Sequence, residues 1–272
     1  MNDWLEVRRG TAPLVVAFPH GGSELAELES RFVSPWLARR DADWHIGGLY
    51  DFVHALGATT VTTRISRAVI DVNRDPSGAS LYPGQATTDL CPTTTFDGDP
   101  LYTGAGPDAV EVAERSARWF HPYHAALTAE LARLRALHPR VVLYDAHSIR
   151  SRIPRLFEGE LPNFSIGTNS GASCALELTE AVVDASLFHQ CDGNWTGVVN
   201  GRFKGGWTTR HYGNPDRGVH AIQMELAMRG YLDEPLVPAE SNWPSAIDPE
   251  PPVRPILRQV ICACLTFAEG PA

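Results

Sequence analysis

The sequence offers no apolar run long enough to cross a bilayer, so a membrane is not an expected partner. Its first ten residues, Met1 to Gly10, lack the apolar stretch of a secretion signal, which makes a cytoplasmic location the expectation. Positive charge is scarce too: 23 Lys and Arg face 32 Asp and Glu, a net charge of −9, and no basic cluster occurs. Nucleic acid, whose binding rests on grouped cations, is therefore not an expected partner. There is no G-x-S-x-G elbow for a serine hydrolase and no glycine-rich nucleotide loop. Cysteine is sparse and odd in number: Cys91, Cys174, Cys191, Cys262 and Cys264 match no zinc-ribbon spacing and are expected to be reduced and mostly buried. No internal repeat or linker divides the chain, so residues 1–272 read as one domain.

What remains is a pattern of apolar runs that stop at polar clusters. Leu14–Phe18 reads as a buried strand ending at Pro19-His20-Gly21-Gly22, with Ser23 as a helix N-cap. A helix is expected over Asp43–Ala55, and strands at Thr59–Arg64 and Ala68–Val72. Residues 77–107 are rich in Gly, Pro, Thr and Asp and read as one long, functional loop. Trp119, Tyr123, Leu127, Leu131 and Leu134 recur at helical spacing, with Pro122 kinking or starting a segment. Val141–Tyr144 reads as a central strand, Ala175–Leu187 as a helix, Gly218–Met224 as a late strand, and Ile256–Phe267 as a closing helix after the proline-rich 234–255. Strands alternating with helices predict an α/β fold, a mixed, mostly parallel sheet covered on both faces.

Ligands of open α/β sheets bind beyond strand C-termini, and three polar clusters fall there: His20, Asp145-Ala-His147-Ser148, and Glu225. Two histidines after two apolar runs point to a metal, and the glycines after His20 suggest close approach by metal or substrate. Asp145 lies two residues before His147, so both face one side of an extended chain and the carboxylate can orient the imidazole. For a third ligand the residues leave Glu24, Asp43, His45 and Asp51 open. Hydrolysis needs a base beside the metal, and Glu225 is suitably placed for it. Arg67, Arg74, Arg150, Arg202 and Arg210 fall in loops or at strand ends, and such forks suit a small acidic substrate. His121 and His124, on the long helix, read as structural.

At these residues the chain resembles the N-formylglutamate deformylase (N-formylglutamate amidohydrolase) family of histidine degradation. The resemblance rests on Asp43-Trp-His45, Ser66-Arg67, Asp71-Val-Asn73-Arg74, Leu81-Tyr-Pro-Gly84, Phe96-Asp-Gly98, Asp145-Ala-His-Ser-Ile-Arg150, Asn200-Gly-Arg-Phe-Lys-Gly-Gly206 and Thr209-Arg-His-Tyr-Gly213. It spans nearly the whole chain and implies a zinc exopeptidase-like (phosphorylase/hydrolase-like) fold. It further implies hydrolysis of N-formyl-L-glutamate to formate and L-glutamate, with His20, Asp43 and His147 holding Zn²⁺ or another divalent metal. Glu225 then matches the general base, and Asn73 with Arg74 matches a pair suited to a substrate carboxylate. Arg150 is expected to steady the oxyanion, and Arg67, Arg74 and Arg202 to bind the substrate's carboxylates. A related amidohydrolase for another N-acyl amino acid or short peptide, and a non-catalytic carboxylate-binding protein, are the competing expectations.

Overall fold

A computed structural model describes residues 3–82, 84–187 and 195–270. Among the described residues, seven strands form one sheet: β1 (Leu5–Arg8), β2 (Leu14–Phe18), β3 (Thr59–Thr63), β4 (Val141–Ile149), β5 (Phe164–Gly167), β6 (Gly197–Val199) and β7 (Val219–Ala227), in the order β1-β3-β2-β4-β7-β5-β6. The central run β3-β2-β4-β7 is parallel, while β1 and β5 join it antiparallel and β6 runs parallel to β5. The sheet is thus mixed and mostly parallel, as expected. β2 and β4 are buried at every position, which is why β2 reads as an unbroken apolar run rather than an alternating one.

The α-helices of the described residues, in chain order, are α1 (Pro35–Arg40), α2 (Ile46–Leu49), α3 (Ala109–Arg115), α4 (His121–Arg135), α5 (Leu176–Leu187), α6 (Trp207–Tyr212) and α7 (Arg254–Glu269). Strand alternation sorts the core into two layers. Leu14, Val16, Val142, Tyr144 and Ile222 pack against Leu178 and Val182 of α5 and Leu257, Val260 and Ile261 of α7. Val15, Ala17, Leu143 and Ala221 pack on the opposite face, beneath Tyr123, Leu127, Leu131 and Leu134 of α4. On this second face the residues change character toward the strand C-termini. Val141 and Leu143 give way to Asp145 and His147 on β4, and Ala221 to Gln223 and Glu225 on β7. The core runs directly into a polar site.

Several expectations change. Ala68–Val72 is not a strand but a turn, closed by hydrogen bonds from the Val69 and Ile70 N–H groups to the Ser66 carbonyl. Its apolar residues are buried as a plug, and burial alone does not distinguish a plug from a strand. The expected helix at Asp43–Ala55 is broken into α2 and a 3₁₀ turn at Asp51–His54, with His45 at a left-handed φ of 60°. Ser23 caps no helix: a 3₁₀ turn at Ala26–Arg31 follows Leu25 instead. The long helix carries a π-helical turn at Ser116–Phe120 just before Pro122, which sits in the first turn of α4, where a missing N–H is tolerated. β4 and β7 extend past the expected ends at Tyr144 and Met224, which places His147 and Glu225 inside strands. Cys91, Cys174 and Cys264 are free and buried, Cys262 is free and exposed, and Cys191 lies outside the described residues, as does Pro83.

Candidate metal centre

β2 ends at Phe18, and the chain turns through Pro19 to bring His20 over the sheet edge, 3% exposed. The His20 carbonyl accepts the Asp43 N–H at 2.9 Å, which draws the loop after α1 against the end of β2. The Ser148 N–H on β4 then donates to Asp43 Oδ2 at 3.1 Å. Three segments distant in sequence thereby converge, with Asp43 Oδ2 3.2 Å from His147 Nδ1 and 4.0 Å from His20 Nδ1. One ligand atom from each of His20, Asp43 and His147 lies within 4.8 Å of the others. The other expected third ligands are elsewhere: His45 Nε2 contacts the Pro244 carbonyl, Asp51 pairs with Arg254, and Glu24 bridges to Ile65 at the surface.

Each imidazole has an acid at its far nitrogen. His20 Nε2 is 2.6 Å from Asp71 Oδ1, and His147 Nε2 is 3.1 Å from Asp145 Oδ1 and 3.0 Å from the Asn73 amide nitrogen. Asn73 Oδ1 accepts the Thr208 N–H at 2.7 Å, which fixes that amide's orientation. Burial, reinforced by the Arg67 guanidinium, lowers His20 to about 4, so its imidazole is neutral, with Nε2–H toward Asp71 and the Nδ1 lone pair accepting from Arg67, 4.0 Å from Asp43 Oδ2. Burial also disfavours a charged His147, but the Asp145 and Asp43 carboxylates outweigh it and raise that pKa well above the ordinary value; a cation in place of the proton meets the same negative field. Asp43 Oδ1 is buried without a hydrogen-bond partner. An orphaned carboxylate oxygen beside two inward-facing imidazole nitrogens, each backed by an acid, fits a divalent cation such as zinc.

The cleft above this group encloses about 560 Å³ including its mouth, and His20, His147, Gln223 and Glu225 line its floor. Burial raises Glu225 to about 8, against the opposing pull of His147. Arg67 donates to Asp71 Oδ2 at 2.6 Å, stands 3.2 Å from His20 Nδ1, and stacks 4.6 Å from the Phe96 ring centroid. The partly exposed lining residues Arg74, Arg202, Tyr82, Leu156 and Phe203 form its mouth, with buried Thr88 beside them. Arg202 donates to the Leu156 and Ala86 carbonyls, both at 2.8 Å. Arg74 donates to the carbonyls of Thr88 and Asn73 and to the Thr88 hydroxyl, with Asp71 only at 3.6 Å. Burial lowers both arginines, the mark of cations that lack a full counter-charge.

The N-formylglutamate amidohydrolase family model matches residues 12–232. The chain belongs to this family. It is 46% identical over 239 residues to an N-formylglutamate deformylase of Pseudomonas aeruginosa, covering 86% of this chain and 87% of that one. It is 41% identical over 269 residues to an N-formylglutamate deformylase of Pseudomonas putida, covering 98% and 97%. Its fold matches the crystal structure of an N-formylglutamate amidohydrolase from Ralstonia eutropha JMP134, with a TM-score of 0.75, 23% identity and 97% of both chains covered. A gene product of Agrobacterium tumefaciens matches with a TM-score of 0.66 and 15% identity, over 97% of this chain and 94% of that one. This family member thus shares its α/β fold with both structures.

Within this N-formylglutamate amidohydrolase fold, Arg150 is not where the sequence suggested. It follows Ile149, which lines the cleft, and alternation turns it away. Its guanidinium binds Asp97 at 2.7 Å and Asp41 at 3.3 Å, and it does not line the cleft. Arg210 bonds the Gly205 carbonyl and flanks Tyr82. The glycines after His20 also serve a different purpose: a side chain at Gly22 would strike the Arg64 backbone, and one at Gly21 would press on Ile46. His124 bonds the Val72 carbonyl at 2.7 Å and packs on Trp207, a structural role, as expected. Sequence reading missed the parts played by Asp71, hidden in a presumed strand, and by Gln223, which carried a signal in its two-residue spacing from Glu225.

Proposed function

We propose that this family member hydrolyses N-formyl-L-glutamate to formate and L-glutamate, as a metal-dependent step of histidine degradation. The observation that carries the reading is one cleft with a His20-Asp43-His147 cation site at its floor and under-neutralised Arg74 and Arg202 at its mouth. A zinc ion or similar divalent cation, when bound, supplies Lewis acidity toward water and the formyl carbonyl. Glu225, in its ionised form, accepts a proton as the water oxygen bonds to the formyl carbon. The same proton passes to the departing nitrogen as the C–N bond breaks, which leaves formate and the free amine of glutamate. Arg67, held by Asp71 at the cleft floor, takes over the oxyanion role expected of Arg150. Asn73 donates to Asp145 Oδ2 at 3.4 Å and accepts the Thr208 N–H at 2.7 Å, so its contribution to the substrate carboxylate site passes through its neighbour Arg74. Arg74 and Arg202 receive the two carboxylates.

The test is formate release from N-formyl-L-glutamate by the zinc-loaded protein, beside N-acetylglutamate, N-formylmethionine and a dipeptide. Preferred turnover of another substrate replaces the substrate assignment, and binding without turnover of any replaces hydrolysis itself. Glu225→Gln is expected to retain metal and lower kcat by about 10²–10⁴-fold; a parental rate removes Glu225 from the mechanism.

A further inference from the structure

Glu225 does not stand alone on β7. Gln223 lies two residues earlier, on the same face, 3% exposed, and its Nε2 donates to Glu225 Oε2 at 3.1 Å. The other end of the amide is fixed as well: Gln223 Oε1 accepts the Gly206 N–H at 2.6 Å. That N–H is buried and can only donate, so it holds the oxygen toward Gly206 and the NH₂ toward Glu225. Gly206 lies close against the Asn73 amide, where a side chain would overlap it.

The neighbouring strand repeats the arrangement. In the parallel register Asp145 sits beside Gln223 and His147 beside Glu225. Each strand thus presents a functional side chain and, two residues before it, the polar group that contacts it. Period-two geometry makes this the shortest local way to brace a side chain at the end of a buried strand. Asp145, an acceptor, suits an imidazole N–H, whereas Gln223 offers a donor, which suits a carboxylate that must point an oxygen at water.

We propose that Gln223 is a positioning residue that aims the Glu225 carboxylate across the cleft floor, with its own orientation set by the Gly206 backbone. The proposal rests on Glu225 being the base. Gln223→Met preserves length and burial and removes both hydrogen bonds. In the zinc-loaded enzyme assayed with N-formyl-L-glutamate, kcat is expected to fall about 10–100-fold, the range for removing an orienting partner, with KM and zinc content near parental values. Adding Gln223→Met to Glu225→Gln is expected to cost nothing further, since both act on one group. A crystal structure of the variant is expected to show the Glu225 carboxylate displaced and the histidines in place. Should Gln223→Met fail to fold, Gln223→Asn, too short to span Gly206 and Glu225, carries the same expectations. A parental kcat, an unmoved Glu225, a loss of zinc that accounts for the lost rate, or losses that multiply in the double variant overturns the proposal. If Glu225→Gln is slow while Gln223→Met is not, only the positioning role fails; if Glu225→Gln runs at the parental rate, the base assignment fails first.

Discussion

At the floor of the cleft each histidine nitrogen that faces away from the centre meets a carboxylate, Asp71 at 2.6 Å and Asp145 at 3.1 Å. At the mouth, Arg202 meets only carbonyl oxygens and aromatic faces among the described residues, and Arg74 shares Asp71 with Arg67 at a longer 3.6 Å. The floor therefore sets three carboxylates, Asp43, Asp71 and Asp145, against the single guanidinium of Arg67, a surplus of negative charge, while the mouth carries surplus positive charge. Neither surplus serves folding, because buried charge without an opposite partner is costly. The contrast teaches that the two ends differ in charge, which supports the proposed reading of a cation below and an anionic substrate above.

Removing a floor ligand should break this arrangement most completely. His147→Ala is expected to lose metal on dialysis and to reduce turnover to background, measured by metal analysis beside the formate assay. Retained metal at parental stoichiometry would move the site elsewhere. Asp145→Asn keeps the ligand and weakens its support, with an expected loss in metal affinity of about 10–100-fold in competition with a chelator. At the mouth, Arg202→Gln should spare the metal and raise KM for N-formyl-L-glutamate about tenfold, the worth of one charge-assisted hydrogen bond. N-formylmethionine, which has no side-chain carboxylate, should be hardly affected; equal losses for both substrates would show that Arg202 does not read that group.

The smallest expected effect lies behind the cleft, at a histidine that belongs to neither charged end. Burial lowers His124 to about 4, although its bond to the Val72 carbonyl favours the charged form. The folded protein therefore keeps His124 neutral while the unfolded chain takes up a proton near 6.5. The stability this group contributes is full above 6.5 and is lost as pH falls toward about 4. Urea midpoints of the metal-free protein at pH 7.5 and pH 5 should differ less in His124→Gln than in the parent. An unchanged difference would assign the acid sensitivity to the site's own acids and histidines.

Much of the site was legible because its residues sit where apolar strands stop. His20, His147 and Glu225 follow buried runs, and the two-residue spacing of Asp145 and His147 placed them on one face before any coordinates. Asp43 was legible as the candidate third ligand only through family resemblance, since spacing alone could not separate it from His45. The left-handed turn at His45 separates them, and it depends on packing around α2 that no local pattern encodes. Asp71 was hidden for a related reason: Ala68–Val72 has the composition of a strand, and only its seat beneath the 77–107 loop makes it a turn.

The sequence by itself determined the layered α/β architecture, because continuous apolar runs and a helical stripe can be buried together in few ways. It also placed the candidate metal-binding histidines, His20 and His147, at strand ends. Tertiary structure decided which arginines face the cleft. The alternation that sends Ile149 inward turns Arg150 toward Asp41 and Asp97, while Arg202 is brought to the mouth by a loop anchored at Gly206. Those outcomes depend on distant partners, and a charged side chain's direction is set by the partner it finds rather than by its neighbours in the chain.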